Sequence, residues 1–173
     1  MILVLAVVLV GCGDGKQKKT LPPPQSEPTT PTWTSDPSNP QNVIVEKAIR
    51  SYLKKPNGKL TKADMERVTG LDLYRTNISD AGIKEVAKLR QLIVLGLSRT
   101  NISDAGLKEL TKCKKLEGLS LDNTQISDAG LKRLTRLAQL KGLRVQETKV
   151  TKAGVAELQK ALPKCLIVSN FKK

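Results

Sequence analysis

The phrase RTNISDAGLKEL, running from Arg99 to Leu110, returns in close copy every twenty-four residues. It stands as RTNISDAGIKEV from Arg75, as NTQISDAGLKRL from Asn123 and, worn, as ETKVTKAGVAEL from Glu147. A fixed short period constrains a chain more than composition does. Each copy is one supersecondary unit, too small to bury its own apolar face, so the copies must stack on one another. Each opens with an alternating apolar pair: Leu71 and Leu73, Leu95 and Leu97, Leu119 and Leu121, Leu143 and Val145. Alternation at period two marks a strand with those residues facing inward. The later apolar positions, such as Ile102, Leu107, Leu110, Cys113 and Leu116, recur at spacings of three to five, the helix period. One short strand followed by one helix is therefore the expected unit.

This L-x-L-x-x-T-x-I-S-D-A-G-L-x-x-L pattern resembles the leucine-rich repeats of ribonuclease-inhibitor-like and bacterial proteins, over roughly residues 43–169. The resemblance implies an α/β solenoid: a short curved array with parallel strands on its concave face, helices on its convex face and a helical N-terminal cap. It also implies a binding role rather than catalysis. Thr76, Thr100, Thr124 and Thr148 fall where this family turns the chain out of the strand, and a polar side chain there satisfies buried backbone groups. Ser79, Ser103, Ser127 and Thr151 are placed as helix N-caps. Asp80, Asp104 and Asp128 fall in the first helical turn, where the helix dipole favours negative charge. The fourth copy carries Lys152 instead, which predicts the least well started helix. Gly82, Gly106, Gly130 and Gly154 suit close packing of one repeat on the next.

The array, 68–169, is preceded by a candidate cap at 43–67. VIVEKAIRSYLKK places Val45, Ile49, Tyr52 and Leu53 on one helix face, PNG breaks that helix, and Thr61 with Asp64 reads as an approximate capping box. Such a segment covers the apolar end of the first repeat. Beyond Leu158 the pattern lapses: Pro163 ends the helix and CLIVS reads as an edge strand guarded by lysines.

The N-terminal residues suggest an address. ILVLAVVLV is an unbroken apolar run, too short to span a ~30 Å hydrocarbon core as a helix but suited to the apolar segment of a secretory signal. LVGC, Leu9 to Cys12, resembles the lipobox of bacterial lipoproteins. The resemblance implies a signal peptide at 1–11, a lipid on Cys12 and anchorage of an exported protein to a bacterial membrane in the cell envelope. The other reading is a short buried apolar N-terminus with a chance Gly-Cys. Residues 12–42, rich in Pro, Ser and Thr, hold too little apolar surface to offset their ordering entropy and are expected to form a disordered tether.

Several chemistries are disfavoured. The 173 residues contain no histidine, which removes the commonest general base and metal ligand. The three cysteines, Cys12, Cys113 and Cys165, show no metal or redox spacing, and pairing of the last two is left open. The Asp80, Asp104 and Asp128 series falls short of the six or more oxygens that calcium needs. No carboxylate pair among Asp72, Asp122 and Glu147 is selected by spacing, and no nucleophile accompanies them. Neither enzyme, cofactor nor metal is expected. NIS at Asn77 and Asn101 matches a glycosylation sequon that a bacterial lipoprotein would rarely use.

Two surfaces compete as binding sites. The outward strand residues line the concave face, where members of the resembled family usually bind. They are Asp72, Ser120 and Arg144, then Tyr74, Ser98, Asp122 and Gln146, then Arg75, Arg99, Asn123 and Glu147. This face reads as small, nearly charge-balanced and poor in aromatic anchors; a protein partner and a mere spacer both remain open. The helical side carries Lys84, Lys88, Arg90, Lys108, Lys112, Lys114, Lys115, Lys132, Arg133, Arg136, Lys141, Lys160 and Lys164. With 30 Lys and Arg against 16 acids, a formal +14, that side suits anionic lipid or an anionic envelope polymer, or serves only for solubility. Nucleic acid fits poorly, because no face gathers stacking aromatics.

Overall fold

Strand and helix alternate as the period requires. The computed structural model describes residues 38–171. Two helices, α1 (Pro40–Leu53) and α2 (Lys62–Glu66), precede the array. The array then runs β1 (Gly70–Asp72), α3 (Asp80–Val86), β2 (Val94–Gly96), α4 (Asp104–Leu110), β3 (Gly118–Ser120), α5 (Asp128–Leu134), β4 (Gly142–Arg144), α6 (Lys152–Ala161) and β5 (Leu166–Val168). The five strands form one parallel sheet in chain order. Each pairs with the next at the repeat offset: Leu71 with Leu95, Leu95 with Leu119, Leu119 with Leu143, Leu143 with Ile167. The helices pack side by side, and one buried aliphatic core joins them to the sheet. The fold is thus a leucine-rich repeat solenoid.

Burial follows the two periods. Leu73, Leu97, Leu121 and Val145 stack as one fully buried ladder, and Ile78, Ile102, Ile126 and Val150 as the next. Each buried aliphatic side chain contributes about 1.5–3 kcal/mol, so the core needs no aromatic residue. Cys113 takes the place that Leu89 and Leu137 hold in neighbouring repeats and is as fully buried as they are. Both Cys113 and Cys165 are free thiols.

The four threonines close the turn after each strand. Their hydroxyls donate to the carbonyl three residues back: Thr76 to Leu73 at 2.8 Å, Thr100 to Leu97 and Thr124 to Leu121 at 2.6 Å, Thr148 to Val145 at 2.8 Å.

The aspartates do more than favour their own helix. The carboxylate of Asp80 accepts from the backbone N–H of Ser103 (2.9 Å) and from its hydroxyl (2.5 Å), one repeat on. Asp104 does the same to Ser127 (2.8 and 2.5 Å), and Asp128 to Thr151 (2.8 and 2.7 Å). Each acid therefore clamps the N-cap of the following helix. A Cβ on Gly106, Gly130 or Gly154 would overlap the clamping carboxylate, so glycine is required for this approach. At the first repeat Gln41 of α1 supplies the acceptor: its Oε1 receives the Ser79 N–H (2.7 Å) and hydroxyl (3.2 Å). Helix α1 ends the array as if it were one repeat more. The fourth helix is not poorly started, as Lys152 suggested. Thr151 Oγ1 accepts from the Gly154 N–H at 3.1 Å, and α6 is longer than α3, α4 or α5.

Helix α1 opens at Pro40, before the Val43 read from periodicity, because Asn39 caps it and Pro40 suits its first turn. Residues 1–37, with the signal segment, Cys12 and most of the expected tether, lie outside the described residues. At α2 the capping box of Thr61 and Asp64 is complete, and Lys55 Nζ adds a 2.7 Å bond to the same carboxylate. The Lys55 bond, with the Thr61 backbone N–H next, holds the Asp64 carboxyl down at about 2 against an ordinary 3.8. A depressed carboxylate contributes stability above its unfolded pKa and loses it as pH falls through the folded value. Asp64→Asn is therefore expected to cost about 1–2 kcal/mol at neutral pH. It should also flatten the loss of stability between about pH 4 and pH 2, read by urea unfolding at each pH. An unchanged acid limb would remove this role.

Candidate functional site

The concave face is built from three rows that the parallel ladder holds at one repeat spacing. Backbone pairing continues past the strands proper: the N–H of Arg75 donates to Ser98 C=O (3.1 Å), that of Arg99 to Asp122 (2.8 Å) and that of Asn123 to Gln146 (2.8 Å). Arg75, Arg99, Asn123 and Glu147 all adopt left-handed backbone, with φ of 56°, 57°, 55° and 51°. Asparagine tolerates that region; arginine and glutamate hold it at a cost on the order of 1 kcal/mol each. The turn thus projects a fixed row of side chains beside the sheet.

These rows line one open groove of about 820 Å³. Asp72, Tyr74, Ser98, Arg99, Ser120, Asp122, Asn123, Arg144, Gln146 and Glu147 all border it. Arg75, of the predicted residues, does not; its guanidinium lies 5.5 Å over the ring of Tyr74. Cys12, the predicted lipid site, lies outside the described residues.

Charges within the groove divide into paired and unpaired. Arg144 Nε contacts Asp122 Oδ2 at 2.7 Å, and Asp122 Oδ1 accepts the Gln146 N–H at 2.8 Å. A partly exposed pair of this kind contributes at most about 1 kcal/mol; its effect is to neutralise and orient both groups. Asp72 Oδ1 accepts the Tyr74 N–H at 2.9 Å. Arg99 has no carboxylate partner among the described residues.

Two lining residues escaped the sequence reading. Tyr52 falls on the apolar stripe of its helix, yet it is 45 % exposed, its ring lies against Gly70, and a 2.7 Å hydrogen bond joins its hydroxyl and Thr69 Oγ1. Helical periodicity places a tyrosine on a face without saying whether its polar tip reaches water. Val94, 55 % exposed, stands in register between Gly70 and Gly118, where the neighbouring repeats carry glycine. The break in that glycine row was the available signal. With Tyr74 (47 % exposed), these residues make the β1–β2 end of the groove aromatic and apolar, on a face whose strand positions alone read as poor in aromatic anchors.

The convex side carries the predicted bases, all exposed. Several are paired: Lys88 with Glu85 (2.6 Å), Lys112 with Glu109 (2.6 Å), Lys141 with Glu117 (2.8 Å) and Lys132 with Glu157 (3.8 Å). The Lys112 hydrogen bond draws the Glu109 carboxyl below its ordinary range, opposed by partial desolvation and assisted by Lys84 and Lys108. Lys114, Arg133, Arg136, Lys160 and Lys164 make no ion pair among the described residues.

Neither cysteine is poised for chemistry, since burial pushes the Cys113 thiol up to about 11 and raises Cys165 as well. Among the described residues no group of three or more His, Cys, Asp or Glu is arranged to hold a metal ion.

No protein-family model and no curated protein matches the chain. Among solved structures, the chain is similar to actin-binding site 2 of leiomodin-1, at 14 % identity and a TM-score of 0.52, over 78 % of this chain and 82 % of that one. It also aligns with a leucine-rich repeat protein of Leptospira interrogans: 22 % identity and a TM-score of 0.45, over 75 % of this chain and 33 % of that one. A Listeria monocytogenes internalin aligns at 17 % identity and a TM-score of 0.45, over 80 % of this chain and 55 % of that one.

Proposed function

We propose that this chain is a non-catalytic, membrane-anchored leucine-rich repeat protein that binds a protein partner in its concave groove. One observation carries the reading: Tyr52, Tyr74, Val94 and the unpaired Arg99 all border the β1–β2 part of the groove, on side chains that do little for the core. Tyrosine and arginine are the residue types most often found to dominate binding energy at interfaces. Anchorage rests on the sequence alone, on the LVGC junction at Cys12 and the Pro-rich spacer after it. Among the described residues no helix is long and apolar enough to cross a membrane, so a lipid on Cys12 would be the attachment in this reading. The test is a pull-down from an envelope extract with the full chain as bait. A partner retained by the wild type and by Lys112→Glu, Arg136→Glu, but lost by Arg99→Glu, Arg144→Glu, is the expected result. Equal retention by all three ends the reading.

A second reading, a structural envelope protein held through its basic convex face to anionic lipid or wall polymer, is favoured by the unpaired Lys114, Arg133, Arg136, Lys160 and Lys164. In that case a Cys12→Ser form still sediments with isolated envelopes and is released by high salt. Failure to associate at any salt concentration removes it.

A further inference from the structure

Resting on the concave-face reading, we propose that the groove takes an extended protein segment that sets an acidic side chain on Arg99 and an adjacent apolar side chain among Tyr52, Tyr74 and Val94. Charge selects the acid. Arg144 is already neutralised by Asp122 at 2.7 Å, and Asp72 is turned onto the Tyr74 N–H. Arg99 is left as the groove's cation without a carboxylate partner among the described residues. The chain holds this arginine on left-handed backbone (φ 57°), where asparagine, found at the equivalent Asn123, is less strained. Its guanidinium, planar and bidentate, matches a carboxylate. The formal +14 of the whole chain favours the approach of acidic partners to the molecule, and within the groove Arg99 is, among the described residues, the cation free to receive them.

Shape selects the rest. Tyr52, Tyr74 and Val94 border the groove at the β1–β2 end and are each about half exposed. Beside them Gly96 adds no side chain to the groove floor, and farther along the sheet a Cβ on Gly142 would meet nothing within 4 Å. A segment can therefore lie close to the sheet. The groove runs from β1 to β4, three strand steps of ~4.8 Å or about 14 Å, the reach of about four extended residues at ~3.3 Å each. Asp72 on one side of Arg99 and Glu147 on the other have no cation partner among the described residues, so an acid on the segment is accepted at Arg99 and repelled to either side.

The experiment is selection of a displayed library of random twelve-residue peptides on the full chain. The expected outcome is enrichment of peptides with Asp or Glu beside Leu, Ile, Val, Phe or Tyr. Their affinity should fall at least tenfold for Arg99→Glu and for Val94→Asp and stay unchanged for Lys112→Glu. Arg99→Asn, at a position where asparagine relieves backbone strain, should weaken binding at least fivefold without lowering the melting temperature, so loss of fold is not confounded with loss of binding. Peptides that lack acidic enrichment and withstand Arg99→Glu, yet are lost by Val94→Asp, overturn this inference and leave the concave-face reading standing. Acidic peptides that are lost only by Lys112→Glu overturn it in favour of the convex face. Peptides indifferent to all these changes, or no enrichment, overturn both the inference and the reading it rests on.

Discussion

Asp104→Ala is expected to destabilise the array by about 3 kcal/mol. The carboxylate accepts two hydrogen bonds from Ser127, one from its backbone N–H at 2.8 Å and one from its hydroxyl at 2.5 Å. Bonds to a charged acceptor contribute about 1.5–3 kcal/mol each, and alanine leaves both donors without it. The same position in other repeats supplies controls. Gln41→Ala removes a neutral acceptor from Ser79, and a cost of about 1–2 kcal/mol follows. Lys152, at the equivalent place in the fourth repeat, is exposed and makes no such clamp, so Lys152→Ala should change stability by less than about 0.5 kcal/mol. Equilibrium unfolding in urea measures all three. Asp104→Ala no worse than Lys152→Ala would mean that the clamp does not hold the repeats together.

The second large effect is a coupling. A Cβ on Gly130 would overlap the Asp104 carboxylate and crowd Ile126 at 3.0 Å. The carboxylate is the flexible end of a side chain and would move aside, but only by giving up Ser127. Gly130→Ala is therefore expected to cost about 2 kcal/mol in the wild type, most of the worth of the clamp. With Asp104→Ala already in place the carboxylate obstruction is gone, and alanine's better helix propensity in α5, worth up to about 1 kcal/mol, offsets the remaining contact with Ile126. The same substitution then becomes neutral or stabilising. The double-mutant cycle should show a coupling of about 2–3 kcal/mol, and additivity within about 0.5 kcal/mol would contradict the geometry.

Most of the architecture was legible because local and global signals agree in every repeat. The period-two pairs, the threonine turns, the serine caps and the glycines recur at one spacing, and the strand register equals that spacing. What the repeat offset alone controls could also have been read: each clamping aspartate lies twenty-three residues before its serine. Its role is hidden because an acid in a first helical turn already has a sufficient local explanation. Gln41 is different. It stands in for an aspartate across thirty-eight residues, a separation fixed by how α1 packs on α3 and by no periodicity. Lys152 then becomes intelligible, since the strand that follows α6 leads into no serine-capped helix among the described residues.

At the groove the outward strand positions followed directly from alternation, and the ladder carried nearly all of them to one surface. The composition of that surface was misjudged for two physical reasons. Tyr52 comes from the preceding helix, outside the repeat frame, and is held at the sheet edge by its hydroxyl bond to Thr69. Val94 precedes its strand's apolar pair, where neighbouring repeats carry glycine, so that only the break in the glycine row marks it. Pairing of charges was likewise invisible, because Arg144 reaches Asp122 across twenty-two residues rather than along a row.

The most direct test of the concave-face account is site-specific photocrosslinking in cells that express the full chain. A photoreactive amino acid is placed at Ser98, which borders the groove, and in a separate variant at Arg133, exposed on the convex side. The account predicts a discrete crosslinked protein from position 98 that disappears when Val94→Asp is added, and none from position 133. A discrete product from position 133 with none from position 98 would contradict it and move the binding surface to the helices.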